Sequence, residues 1–483
     1  MTNTISIQSF FSPSCEVKIP EPTTELHKIV SRWSDSGVAL PAAVIFPSTE
    51  NDIIAAIRFA KEKGLRIIPG SGGHGSFVPI DSKTIYLDLK RFRTVSVDKS
   101  NDSVTIAGGS LAADVLKACV AEGYYTFFPN SNAVGMIGAF LGGASSAFNG
   151  IHGFGIDNVL TIRLLTASGS VLTLTPSSTG EEANLFNTIC GAGHGLGVIT
   201  SLTLRAFPIS GLHLTDNKIW VRKIIFPPTA IATAAELYTQ LQRPAGPLTP
   251  VIGFARAPPT SPAKGAPMIL LNLAYLGPAE EAEQAAAAAL APEVVDKAIS
   301  AETLAVPFAN MNDGAEAFNG HGGLKEMYTA MLESVSATSL TRAFDRWKKF
   351  GDEVEDARPR SYTIVASWNT QALLANATAG ADGIDKKFYR SRGRGLLMQS
   401  TAWYEKPKTK AAADEYGRET LEIFREEDTK NQLAPASFAN NIRFGQDMEE
   451  VYSKDMIGEL KRMRQLWDPE GVFWSPVGDG RFR

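Results

Sequence analysis

Residues 69–80, PGSGGHGSFVPI, place four glycines around a single histidine, His74, directly after a predicted strand. Gly70 to Gly75 match the G-x-G-x-x-G pattern of a Rossmann unit, which requires a helix to follow. The next residues, SFVPIDSKTIYLDL, contain Pro79 and many strand formers and lack a helical apolar period. The stretch therefore excludes a nicotinamide-binding Rossmann unit, and the lack of any G-x-x-x-x-G-K-S/T motif excludes a P-loop.

The remaining interpretation is a glycine-rich loop whose backbone binds an anion. Glycine adopts positive φ angles and lets N–H groups come close to a ligand, and consecutive inward N–H groups bind anions such as a pyrophosphate. Similar stretches follow at 108–110, 142–143 and 191–197. One such loop often only connects strands, but four between residues 70 and 197 favour an anion site.

The pattern of predicted elements divides the chain. Strands and helices alternate up to residue 207, whereas longer helices and separate strands follow, as in an α+β layer. The pattern changes again near residue 435, where DMIGELKRMRQLWDPEGVFW predicts a helix stopped at Asp468-Pro469. We therefore expect domain boundaries near residues 208 and 435.

Composition restricts the partners and the compartment. The net charge of −4 argues against nucleic acid or an anionic membrane as a partner. Residues 1–20 lack a signal peptide pattern, and no apolar run approaches the roughly 18 residues of a membrane span. We expect a cytoplasmic protein, monomeric or homodimeric. Its three cysteines and six histidines show no metal-ligand spacing, so no metal site is predicted.

Several motifs resemble those of the berberine bridge enzyme-like oxidases, within the vanillyl-alcohol oxidase and p-cresol methylhydroxylase flavoprotein superfamily. GSGGHG followed by IYLDL resembles the first flavin-binding loop of that family. VGMIGAFLGG, GFGIDNVLTIRLLTASG, NLFNTICGAGHGLGVITSLTLRAF and LWDPEGVF are similar to later segments in the same order.

The resemblance implies an α+β fold with two domains, in which an antiparallel sheet flanked by helices forms the substrate domain. Residues 1–40 would be an N-terminal extension, 41–207 the p-cresol methylhydroxylase-type FAD-binding domain, 208–434 the substrate domain, and 435–483 a segment completing the FAD-binding domain.

The resemblance also implies that FAD is covalently bound to His74 through its 8α-methyl group. The further residues that it implies for FAD binding are Ser71, Gly72, Gly73, Gly75, Ser131, Val134, Gly135, Gly138, Gly142, Asp157, Gly193, Gly197, Val198 and Asn440.

Two positions bear on how the flavin is held and reoxidised. Many family members carry a second flavin link through a cysteine where this chain has Ser131. Serine is a much poorer nucleophile than a thiolate, so we expect a single covalent link. Val134 falls at the family's oxygen gatekeeper position, where a small residue is associated with oxidases; its alternative role is packing.

The family's usual catalytic base is absent. Its Y-x-N motif reads Phe438-Ala439-Asn440, which loses the phenol that helps to deprotonate the substrate. Replacement bases would be Tyr404, Tyr389, His152 or His321, although aromatic residues in strands usually belong to the core.

These observations predict an FAD-dependent oxidoreductase. It would transfer hydride from a hydrophobic small molecule of secondary metabolism to flavin N5, with O2 as electron acceptor. The alternative is a pericyclase or isomerase that retains FAD without net redox change, which the loss of the tyrosine favours. A serine or thiol hydrolase is disfavoured because no G-x-S-x-G motif occurs.

Overall fold

A computed structural model describes residues 7–377 and 386–483. The strands are β1 (Glu16–Lys18), β2 (Ala43–Phe46), β3 (Arg66–Gly70), β4 (Thr84–Asp88), β5 (Val95–Asp98), β6 (Ser103–Ala107), β7 (Tyr124–Thr126), β8 (Val159–Leu165), β9 (Val171–Leu174), β10 (Val198–Pro208), β11 (Lys218–Phe226), β12 (Leu248–Arg256), β13 (Pro267–Tyr275), β14 (Ser300–Pro307), β15 (Leu324–Leu332), β16 (Tyr362–Ser367) and β17 (Leu396–Tyr404).

The helices are α1 (Glu50–Lys63), α2 (Ala112–Ala121), α3 (Met136–Leu141), α4 (Asn149–His152), α5 (Gly180–Ala192), α6 (Ile231–Leu241), α7 (Ala279–Ala285), α8 (Pro292–Val295), α9 (Ala337–Glu353), α10 (Thr370–Ala375), α11 (Lys410–Phe424), α12 (Glu426–Lys430) and α13 (Lys454–Trp467).

Two sheets form the first half of the molecule. The four-stranded sheet has the order β1-β2-β4-β3, with parallel pairing of β4 to both β2 and β3. The second sheet has the order β5-β6-β10-β8-β9, and β7 pairs with β10. Residues before 41 take part in this unit, because β1 pairs antiparallel with β2.

The C-terminal segment returns to the four-stranded sheet. After α13, the carboxylate of Asp468 accepts hydrogen bonds from the backbone N–H groups of Val472 and Phe473, both at 2.8 Å. Ile67 of β3 in turn donates its N–H to the Val472 carbonyl at 2.7 Å. The turn in LWDPEGVF thereby brings the chain end against β3.

The second half is a seven-stranded, fully antiparallel sheet with the order β14-β11-β13-β12-β16-β17-β15. On one face of this sheet, the even-numbered residues of β17 pack with α6, α9 and α11 in one core. On the other face, Leu397 and Gln399 of the same strand face the glycine-rich loops. This arrangement of sheets and helices confirms the α+β fold class.

Candidate functional site

A cavity of about 370 Å³ lies between the glycine-rich loops and the seven-stranded sheet. Its wall combines residues 67–78, 129–145 and 193–199 with residues of β16, β17 and the C-terminal segment. This volume is in the range of small-molecule and cofactor sites. The cavity therefore has contributions from both halves of the molecule.

The first glycine loop packs so closely that two positions require glycine. A Cβ atom on Gly73, which has a φ of +68°, would lie 2.1 Å from the carbonyl oxygen of Ser31. A Cβ on Gly72 would lie 2.4 Å from the carbonyl oxygen of Ala133 and from the N atom of Gly135. Three backbone segments therefore meet behind His74 because side chains are absent there.

His74 lies in the cavity wall as a neutral imidazole. Its ring stacks on Trp33, with centroids 4.7 Å apart and an interplanar angle of 16°. Burial, assisted by the nearby charges of Lys325, His321 and Arg32, lowers the pKa of His74 to about 4. At neutral pH its ring nitrogens are therefore unprotonated apart from the single tautomeric proton.

A second histidine in the wall has similar properties. Burial lowers the pKa of His194 to about 4, and its ring makes edge contacts with Phe77 and Trp474. Burial and charge alone therefore do not distinguish His74 from His194 as an attachment point.

Most of the residues expected to bind the cofactor line this cavity: Ser71, Gly72, Gly73, His74, Gly75, Ser131, Val134, Gly135, Gly138, Gly193, Gly197 and Asn440. The amide of Asn440 bonds to the second glycine segment, accepting from Ala144 N at 3.2 Å and donating to Gly138 O at 3.1 Å. Ser131 donates its hydroxyl to the Asn319 side chain.

Three of the expected cofactor residues do not line the cavity. Gly142 lies behind Asn440, where its Cβ would approach the Asn440 amide at 2.6 Å. Val198 is fully buried and packs with the α1 core, because it alternates with the lining residues Gly197 and Ile199.

Asp157 is the third, and it forms a buried ion pair. Its carboxylate accepts two hydrogen bonds from the Arg392 guanidinium, at 2.6 Å and 2.7 Å, and one from Phe154 N at 2.8 Å. The Lys387 ammonium lies 3.8 Å away. Asp157 therefore joins the first half of the molecule to residues 387–392.

The tyrosines expected as bases point away from the cavity. Tyr404 lies on the helix-facing side of β17, and its hydroxyl donates to Glu326 at 3.4 Å. Tyr389 packs against Phe154 and Phe438, and its hydroxyl approaches Met331 Sδ at 3.9 Å. Neither hydroxyl is placed to reach a molecule in the cavity.

The histidines proposed as bases also lie outside the lining. His152 stacks on Phe207 at 3.7 Å, and its Nε2 bonds the Tyr125 hydroxyl at 2.8 Å. His321 Nε2 lies 3.3 Å from the carbonyl oxygen of Gly72, at the back of the first glycine loop.

Sequence reasoning missed the polar groups that do face the cavity. Gln399 donates to the Tyr362 hydroxyl oxygen at 3.0 Å, and its carbonyl oxygen accepts from the Asn441 amide at 3.2 Å. The available signal was the alternation in SYTIVASW, since Tyr362, Ile364, Ala366 and Trp368 all line the cavity.

Among the described residues, no cluster of three or more possible metal ligands occurs. Within the same ranges, no helix has the length and apolar character needed to cross a membrane.

Comparison with known proteins shows what this chain resembles. Residues 41–175 match the FAD binding domain family. The FAD-linked oxidoreductase hasG of Aspergillus fumigatus is 26% identical over 92% of both chains, and srdI of Neurospora crassa is 24% identical over 93% of this chain and 86% of its own. The structure of Physcomitrella patens BBE-like 1 superposes with a TM-score of 0.77, at 17% identity over 96% of both chains. The chain is therefore similar to FAD-linked oxidoreductases over most of its length, carries an FAD binding domain, and has the fold of the berberine bridge enzyme-like proteins, as its glycine motifs predicted.

Proposed function

We propose that this enzyme oxidises a hydrophobic small molecule of secondary metabolism, passing a hydride to flavin N5 and the electrons on to O2. The observation that carries the proposal is the cavity itself. One side consists of glycine loops and a neutral histidine, and the other side is a largely apolar sheet wall.

The residues of the cavity fit an FAD. A Cβ on Gly138 would meet no atom within 4 Å, so this part of the wall is open to a bound group. When bound, the flavin supplies the electron acceptor of the reaction. The loops at 71–75, 134–138 and 193–197 would hold it through their backbones, while Asn440 fixes the second of these loops.

His74 would form the single covalent link to the flavin. Joining an imidazole nitrogen to the 8α-carbon would break one N–H bond and one C–H bond and release two protons and two electrons, which O2 would take up as hydrogen peroxide. The neutral state of His74 supports this role, because the attacking nitrogen needs its lone pair. Ser131 is not expected to carry flavin.

The substrate would lie against the sheet wall. The apolar side chains on that side are Phe318, Ile364, Trp368, Leu397 and Phe438. The described lining contains no carboxylate and no lysine, so a cationic substrate would have no counter-ion there. A neutral, ring-containing substrate is the class that this wall favours.

Tyr362 would bind a polar group of this substrate. Burial raises the pKa of Tyr362 above its usual value, so at neutral pH its hydroxyl remains protonated and donates a hydrogen bond. Gln399 already donates to the phenol oxygen, which leaves the phenolic proton for the substrate.

We expect Tyr362→Phe to lower the second-order rate constant for flavin reduction by the substrate by about tenfold to hundredfold. Anaerobic stopped-flow absorbance at the flavin band measures this constant. Tyr404→Phe is the matched control, because it removes a phenol from the opposite face of the same sheet. Equal losses in both variants would contradict the assignment.

Two features of the cavity wall favour the alternative function, a cyclisation or isomerisation without net redox change. Phe438 lines the cavity and brings no proton acceptor, and Tyr362 is protonated at neutral pH. A reaction that needs hydrogen bonds but no base would suit such a wall.

Anaerobic mixing with a panel of neutral aromatic and alicyclic alcohols separates the two functions. We expect an oxidised substrate to bleach the flavin in one turnover, with product stopping at one equivalent. Admitting air should restore the colour within seconds, since the small Val134 lies in the cavity wall. Product accumulating past one equivalent over yellow flavin would replace the oxidase by the cyclase.

A further inference from the structure

Lys325 is a buried ammonium close to the proposed flavin site. It lies near the start of β15 and is 1% exposed. Its Nζ donates to the backbone carbonyls of Trp33, Gly320 at 2.8 Å and Gly322 at 2.8 Å. Three carbonyl acceptors match the three N–H donors of the charged form and leave no partner for the lone pair of a neutral amine.

Two indole rings enclose this ammonium. Lys325 and Trp403 are directly opposite each other on β15 and β17, and Nζ lies 3.9 Å from the Trp403 ring centroid. Nζ is also 4.6 Å from the ring centroid of Trp33, the residue that stacks on His74. Lys325, Trp33 and His74 therefore form one continuous row of contacts that ends at the cavity wall.

The same carbonyls tie together the segments around the first glycine loop. Trp33 donates its indole N–H to the carbonyl of Phe318 at 2.8 Å, and His321 reaches Gly72. Lys325 thus fixes Trp33 on one side and residues 320–322 on the other. Removing it would free both supports of the loop that carries His74.

We propose that Lys325 is a positioning residue for covalent flavin attachment: it holds Trp33 against His74 and keeps a positive charge near the imidazole that forms the bond. This inference rests on the proposed link through His74. Forming that link sends an electron pair into the flavin, so negative charge develops there before O2 removes it. A cation fixed near this developing negative charge stabilises it and lowers the barrier to attachment, because the cation does not need to move during the reaction.

The magnitude follows from the distance. The ammonium lies 4.6 Å from the Trp33 ring centroid, and the imidazole centroid lies 4.7 Å from the same point, so the ammonium and the imidazole are at most the sum of these two distances apart. Across that distance in a protein interior, one unit charge changes a rate by about tenfold. His74 stays neutral with or without this charge, because burial is the larger cause of its lowered pKa.

The proposal predicts a pH dependence of attachment. Burial lowers the pKa of Lys325 to about 7, with Asp35 and Glu405 acting against that change and Arg360 with it. The ammonium is therefore charged below pH 7 and loses its charge as the pH rises. Ordinary carboxylates and guanidinium groups keep their charges between pH 7 and 9, which leaves His321 as the other neighbouring group to control.

The test follows attachment in the full-length apoprotein, made under riboflavin limitation and then incubated with FAD. Flavin in the acid-precipitated pellet is measured over time at pH 6 to 9. We expect wild-type attachment to slow about tenfold across this range, Lys325→Arg to be independent of pH, and Lys325→Met to be slow throughout. His321→Gln should keep the wild-type pH dependence.

Two further variants separate positioning from stability. Lys387→Met removes another buried lysine, which donates to Ile156 O at 2.6 Å away from the cavity lining, and should attach flavin at the wild-type rate. In a Trp33→Leu background, Lys325→Met should slow attachment less than in the wild type, because the row of contacts is already broken.

Attachment by Lys325→Met at the wild-type rate would overturn the proposal. If that variant does not fold, a Lys325→Arg profile that slopes with pH like the wild type would overturn it, and a flat profile would support it. Wild-type protein that never holds flavin in the pellet would instead refute the proposed link through His74.

Discussion

Replacing His74 with alanine should leave the acid-precipitated protein without flavin, a complete loss of the covalently bound fraction. The protein should still fold and bind FAD reversibly, because the loops that line the rest of the cavity keep their backbones. Absorbance of the redissolved pellet and the intact mass of the protein measure the two forms. Attached FAD would disappear from the mass spectrum, while the supernatant would become yellow.

His194→Ala is the matched control for this experiment. It removes the other neutral, buried histidine of the cavity wall, so any general effect of losing a wall imidazole appears in both variants. We expect His194→Ala and Ser131→Ala to keep the flavin in the pellet. A peptide map with flavin mass on His194 or Ser131 would refute attachment at His74.

Asp157→Asn should reduce the free energy of unfolding by about 3–5 kcal/mol, since it removes the charge of a buried carboxylate that accepts two hydrogen bonds from Arg392 and faces Lys387. Denaturant titration followed by circular dichroism measures the change. The molecules that still fold should carry covalent flavin in the wild-type proportion, because Asp157 does not line the cavity.

Glu181→Gln provides the comparison with an exposed ion pair. Glu181 and Arg462 are each nearly half exposed and pair at 2.8 Å, and such pairs contribute about 0–1 kcal/mol. A stability loss in Asp157→Asn no larger than in Glu181→Gln would contradict the structural role. If Asp157→Asn kept normal stability but lost its flavin, Asp157 would instead have a role in cofactor binding.

The glycine-loop side of the cavity was largely predictable from the sequence. Close approach of backbones demands glycine whatever surrounds it, so the residues at 70–75 mark the loop in the sequence itself. The histidine among these residues, His74, has no metal-ligand spacing with the other histidines, which left few other roles for it in the sequence. Gly142 and Val198 each follow a residue that lines the cavity, Leu141 and Gly197, which is the precision that a motif allows.

The sheet side of the cavity was not predictable in the same way. Tyr362 and Tyr404 both stand in strand patterns, but side chains alternate between the two faces of a sheet. Which face meets the glycine loops depends on how the seven-stranded sheet packs on the other half. Similarly, nothing near Asp157 in the sequence reveals Arg392, its partner from another part of the chain.

The return of the C-terminal segment to β3 has a consequence for biosynthesis. Asn440, Phe473 and Trp474 form part of the cavity wall, so a ribosome must release the chain beyond Trp474 before that wall is complete. The first domain of a nascent protein usually folds while the rest is still being made. Here the cavity around the glycine loops is completed only after the C-terminal segment has folded back, so a chain truncated before Trp474 would remain colourless. Flavin colour in a cell extract would then report molecules in which this segment has closed the cavity.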